Sequence, residues 1–147
     1  MLVLRYFYTP NYARMSKGTK IAYWILAVLI ALPFFAGAYM KLTGSAMEVT
    51  GFQNFGYAIW FMYVIGVLEL LGALGILFGG VIHSQLPRLA ALGLLGLLIG
   101  ILYTHATHPP LMGGIPALII TVLVIAFLWV SGKKGSEVPV TPSTPSV

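Results

Sequence analysis

Residues 89–132 read LAALGLLGLLIGILYTHATHPPLMGGIPALIITVLVIAFLWVSG and contain no Asp, Glu, Lys or Arg. A membrane-crossing helix needs about 20 apolar residues, roughly 30 Å at 1.5 Å per residue. The stretch is about twice too long for one crossing. It is interrupted by Thr104-His105-Ala106-Thr107-His108-Pro109-Pro110. A residue before proline avoids the helical region and Pro110 has no N–H to donate, so the chain must turn there. Two spans result, at about 87–105 and 111–130, and Pro87 suits a first helical position.

Upstream, residues 57–79 form another apolar run that carries one acid, Glu69, and residues 21–40 carry no formal charge. The expected fold is an all-α integral membrane protein, a bundle of four transmembrane helices. Composition agrees. Hydrophobic residues make up 59% and charged residues 7% of the 147, with mean hydropathy +0.97. Soluble domains stand at about 45–50% and 25%. A water-facing surface cannot be assembled from three acids and eight bases. Cysteine is absent, which excludes disulfides, thiolate metal sites and thiol redox chemistry within the chain.

The bases orient the bundle. Arg5, Arg14, Lys17 and Lys20 precede span one, Arg88 joins spans two and three, and Lys133 and Lys134 follow span four. Four spans put all seven on one side and leave Lys41 alone on the other. The positive-inside rule then makes both termini cytoplasmic and the cell membrane the expected location. It also explains the net charge of +5 without nucleic acid, and the expected partner is the bilayer. Ala36-Gly37-Ala38 has the small-x-small form of a signal cleavage site. The basic region before it is long and the apolar run is near span length, so the segment reads as a span. Residues 1–20 read as a basic aromatic segment, 21–131 as the membrane domain and 132–147 as a disordered Ser/Thr/Pro tail.

Helices in lipid associate through small residues that let backbones approach. Gly66, Gly72, Gly75, Gly96 and Gly100 are the expected packing positions, with spans two and three meeting through the last four. Gly66 and Gly72 also flank Glu69 at i−3 and i+3, which places the acid on an inward face. An unpaired carboxylate in the membrane costs several kcal/mol, so Glu69 must be protonated, hydrated or paired. It is the first candidate for proton handling or ligand binding, against a plain interhelical hydrogen bond. Lys41 ends span one on the side where orientation calls for no base, and its partner is expected to be Glu69 or Glu48. His105 ends span three on that same side. A metal on His105 and His108 would need a carboxylate, and no further ligand is evident. Tyr57, Trp60 and Tyr63 serve as an interfacial belt or as cavity walls, the belt being the first reading.

An ordered set of motifs now stands out. It comprises Phe35-Ala36-Gly37-Ala38-Tyr39-Met40-Lys41-Leu42, Gly51-Phe52, Phe55-Gly56-Tyr57 and Trp60. Gly66-Val67-Leu68-Glu69-Leu70-Leu71-Gly72, Pro87-Arg88-Leu89-Ala90-Ala91 and Thr104-His105 continue it. Over about residues 20–130 the chain resembles the DoxX-like family of small four-helix bacterial membrane proteins. The family's polar motif residues map onto Lys41, Glu69 and His105. Some members are subunits of a thiosulfate:quinone oxidoreductase, others associate with oxidative-stress enzymes, and many have no defined activity. The resemblance thus implies a non-enzymatic membrane subunit or anchor for a redox partner, with quinone as the implied ligand. The alternative is a small proton-coupled carrier that works as a homo-oligomer and uses Glu69. A self-contained enzyme is not expected, because no nucleophile–base pair, nucleotide motif or clear metal motif is present.

Overall fold

The computed structural model describes residues 15–108 and 111–132. Its elements are α1 (Lys17–Leu42), α2 (Ala46–Asn54), α3 (Ile59–Ile82), α4 (Leu86–Thr107), a 3₁₀ turn (Leu111–Gly114) and α5 (Ile115–Gly132). The four long helices are apolar enough to cross a membrane. The sequence readings at residues 1–14 and 133–147 lie outside the described residues.

Local chemistry sets the boundaries. Ser16 caps α1, its Oγ accepting from the Thr19 N–H at 3.3 Å. Pro33 sits inside α1, where it leaves the Leu29 carbonyl without its helical partner. Ser45 caps α2 by accepting from the Glu48 N–H at 3.4 Å. Gly44 and Gly56, at φ of +65° and +76°, bracket α2 with left-handed turns that L side chains resist. Pro87 falls in the first turn of α4. The span expected from residue 111 instead begins as a 3₁₀ turn, and α-helix starts only at Ile115. Gly113 and Gly114 favour helix poorly, whereas Pro116 is pre-set for a first turn.

The long helices form a ring in which α1 packs on α3 and α5, and α4 packs on the same two. Tyr23, Ile30, Ile76, Leu94, Leu98 and Phe127 fill its centre. The outside is just as apolar: Ile21, Leu32, Leu71, Ile82, Leu89 and Trp129 are all exposed. A surface of that kind is stable only against hydrocarbon.

Small residues govern two seams. Ala27, Ala31 and Ala38 of α1 are fully buried. Gly66 of α3 lies against Lys41 and Leu42 of α1, where an added Cβ would come within 3.0 Å of the lysine Cβ. Between α3 and α4, Gly72 abuts Leu94, and a Cβ on Gly75 would fall 2.6 Å from that of Ala90. Gly96 and Gly100 depart from the expected seam. Both are exposed, and nothing lies within 4 Å of where their Cβ would be. The contact they were expected to make is made by Leu94 and Ala90, because Gly96 and Gly100 lie on the side of α4 turned away from α3's glycines.

Candidate functional site

Lys41 is the centre of the site. Its Nζ lies 3.3 Å from Glu69 Oε1 and 3.4 Å from Glu48 Oε2, tying α1 to both α3 and α2. Helix levels explain how a terminal lysine reaches an acid deep in the next span. The Lys41 stem packs at Gly66, so α3 runs more than a turn past the end of α1. Glu69 is then about one turn deeper than Lys41, within the reach of a lysine side chain. Gly37, one turn back on α1, completes the fit: a Cβ there would stand 3.1 Å from Glu69 Oε2 and 3.5 Å from Lys41 Nζ.

Burial makes the arrangement demanding. The Glu69 side chain is 4% exposed, Lys41 11% and Glu48 20%. Glu69 Oε2 is buried and has no hydrogen-bond partner among the described residues. Two carboxylates share one ammonium, so the formal charge of the trio is −1 when all three are ionised. A lone buried carboxylate is far more costly than a paired one, so Lys41 is what makes Glu69 tolerable at this depth.

Lys41 and Glu48 also line a cavity of about 610 Å³ between α2, α3 and α4. Phe52 of α2, Phe55 at its C-terminal cap and Phe61 of α3 supply aromatic walls, while Gly96 and Gly100 leave α4 bare beside it. Tyr57 and Thr104 line the cavity and are hydrogen-bonded at 2.9 Å. The Thr104 hydroxyl donates to the Gly100 carbonyl at 3.0 Å, so the Tyr57 O–H is the donor to Thr104. The expected belt therefore divides. Trp60 and Tyr63 are exposed as a belt requires, and Tyr57 belongs to the cavity.

His105 lies on the same wall. Its ring meets Phe55 edge-on at 5.3 Å and presses on the 3₁₀ turn, where a Cβ at Gly113 would fall 2.6 Å from Cε1. His105 Nδ1 is buried and has no partner among the described residues. His108 meets Phe55 at 5.8 Å and its Nδ1 is bonded to the Thr107 hydroxyl at 2.9 Å. Phe55 thus sits against both imidazoles, which is not a chelating arrangement. Among the described residues no group of three or more His, Cys, Asp or Glu could hold a metal ion.

The structure therefore brings Lys41 and Glu69 into direct contact and puts Lys41 and His105 on one cavity. The sequence offered Glu69 or Glu48 as the partner of Lys41, and the lysine meets both. Sequence reasoning did not find the walls that α2 and its cap provide through Phe52 and Phe55. The available signal was the i, i+3 spacing of those two rings in a connection with Gly at both ends.

No solved structure matches the chain. A Bacillus subtilis (strain 168) protein described as uncharacterized protein YdgD is 28% identical over 107 residues, covering 73% of this chain and 89% of its own. The DoxX-like family matches residues 25–131, which take in most of α1 and α5, all of α2, α3 and α4, and each of Lys41, Glu69 and His105. On that match the chain belongs to the DoxX-like family.

Proposed function

We propose that this protein is a non-enzymatic subunit of the cell membrane that anchors a redox partner and holds a quinone in the cavity beside Lys41. Both termini lie in the cytoplasm in this reading, on the strength of the base distribution, and the cavity opens in the outer half of the bilayer. One observation carries the proposal: a space of about 610 Å³ is lined by Lys41, Glu48 and His105 together with aromatic rings and with bare glycines of α4. That volume is within the range of about 300–1,000 Å³ used for small ligands. Lys41 Nζ and the His105 ring are the hydrogen-bond donors for quinone carbonyls, and the phenylalanines pack against the ring faces. The association with a redox partner rests on the family resemblance.

Extraction in mild detergent tests both halves. A stable protein partner and bound quinone should co-purify. A protein that purifies alone and free of quinone contradicts the reading.

A second reading is favoured by Glu69 Oε2, buried and unpartnered beside Lys41. An acid that must exchange its proton or its counter-ion is what a small carrier needs, and a homo-oligomer would supply the remaining path. Reconstituted vesicles distinguish the two: proton flux that disappears in Glu69→Gln belongs to the carrier alone.

A further inference from the structure

The short helix beside the Lys41 cavity is held differently from the four long ones. α2 contributes Met47, Glu48, Gly51 and Phe52 to the lining, and Phe55 follows at its cap. No residue of α2 is buried, whereas each long helix buries a face. Both its ends are left-handed glycines, Gly44 at φ +65° and Gly56 at φ +76°. Glycine passes between backbone regions without a Cβ penalty, so these two positions can absorb a rotation that other residues resist. The chain beyond each glycine is anchored. Lys41 pairs with Glu69 at 3.3 Å shortly before Gly44, and Tyr57, directly after Gly56, is bonded to Thr104 of α4 at 2.9 Å.

Little holds α2 against the bundle. Glu48 Oε2 meets Lys41 Nζ at 3.4 Å, with the Glu48 side chain 20% exposed. Ring edges supply the rest: Phe52 lies 6.0 Å from Tyr57 and 6.5 Å from Phe61, and Phe55 lies against His105 and His108. A segment with so little buried surface opens at far lower cost than the whole bundle unfolds. Charge permits the opening. Releasing Glu48 to water leaves Lys41 with Glu69, a neutral pair in place of two carboxylates on one ammonium. No buried charge is stranded by the movement. We propose that α2 is a hinged lid, turning at Gly44 and Gly56 and latched by the Glu48–Lys41 ion pair. Its opening exposes the Lys41 cavity at the end of the bundle where α1 stops and α3 begins. This goes beyond the quinone reading and does not rest on it, because the lid governs access to whatever the cavity holds.

The test follows the lid itself, by pulsed electron spin resonance on the full chain in nanodiscs. The chain has no cysteine of its own, so spin labels go onto cysteines placed at Gln53 and Ile82. Both positions are exposed, Gln53 on the lid and Ile82 at the far end of α3, about 35 Å along that helix. Wild type should show one main distance, with a displaced population below about 10%. Glu48→Gln removes the latch while Lys41 keeps Glu69. It should enlarge the displaced population at least about threefold and leave the unfolding midpoint unchanged. Gly56→Ala has free space for its methyl group but must hold φ at +76°, so it should enlarge that population too. Gly51→Ala lies inside α2 with equally free space and should keep the wild-type distances. A Glu48→Gln distribution identical to wild type would overturn the lid. So would displacement in Gly51→Ala equal to that in Gly56→Ala, since α2 would then fray as a helix instead of turning at its ends. No quinone is added, so either result leaves the quinone reading to its own test.

Discussion

Lys41 Nζ stands 3.3 Å from Glu69 Oε1, and that contact joins the last turn of α1 to the middle of α3. Neither residue suits a membrane interior alone. Together, with Glu48 on the exposed side of the lysine, they make a polar junction that three helices share. The pair has an unequal dependence that mutation can read.

Lys41→Met removes the ammonium and leaves Glu69 buried among apolar atoms with no cation, a loss of about 3–5 kcal/mol for breaking a buried pair from one side. Glu69→Gln keeps Lys41 paired with Glu48 and should cost less. The double variant Lys41→Met/Glu69→Gln should be more stable than Lys41→Met alone, since no unpaired charge remains at Glu69. Thermal unfolding in one detergent checks the order. A double variant no better than Lys41→Met would mean that Glu69 carries no unpaired charge in the single variant.

The glycines predict a second contrast. Gly75→Leu drives a side chain into Ala90 of α4 and should cost about 1–3 kcal/mol by overpacking, whereas Gly96→Leu points into open space and should leave stability near wild type. Gly96→Leu should nonetheless weaken quinone binding, because it narrows the cavity. Equal destabilisation by the two leucines would contradict the seam.

These contrasts also show what the sequence could and could not carry. The span count was legible because one uncharged stretch was too long for a single helix and ended its first half in His108-Pro109-Pro110. The inward face of Glu69 was legible from the cost of a buried carboxylate. What sequence spacing cannot supply is the relative level of neighbouring helices. With α1 and α3 taken as level, Lys41 and Glu69 stand up to about two turns apart; the offset at Gly66 removes one of them. Rotation was equally hidden. Gly72, Gly75, Gly96 and Gly100 all permit close approach, and only the helix rotation decides that the first two meet α4 while the last two face the cavity.

His105 gives a third prediction. Its ring occupies the space beside Gly113, so Gly113→Ala should push the imidazole towards Phe55 and the cavity. Quinone affinity should fall about tenfold, with little change in unfolding temperature because the 3₁₀ turn is short. The chemical shifts of the His105 ring carbons would report the displacement. Unchanged shifts with unchanged affinity would detach His105 from the site.

Orientation gives a fourth. Cysteines placed at Gln53 and at Ser136, in a chain that has none, should differ in reactivity towards an impermeant thiol reagent in intact cells. Gln53 is exposed on α2 and should label, while Ser136 should label only after the membrane is opened. Labelling of position 136 from outside would reverse the bundle and move the cavity to the inner half.

Equilibrium binding of quinone to the reconstituted chain, compared between wild type and Lys41→Met/Glu69→Gln, is the most direct measurement of the central claim. That double variant removes the donor at the cavity wall and leaves no unpaired charge at position 69, so its unfolding midpoint, set beside those of wild type and Lys41→Met, separates binding from stability. Saturable binding at one quinone per chain in wild type, weakened at least about tenfold in the variant, is the predicted result. Binding that is absent in wild type, or equally tight in both proteins, would contradict it.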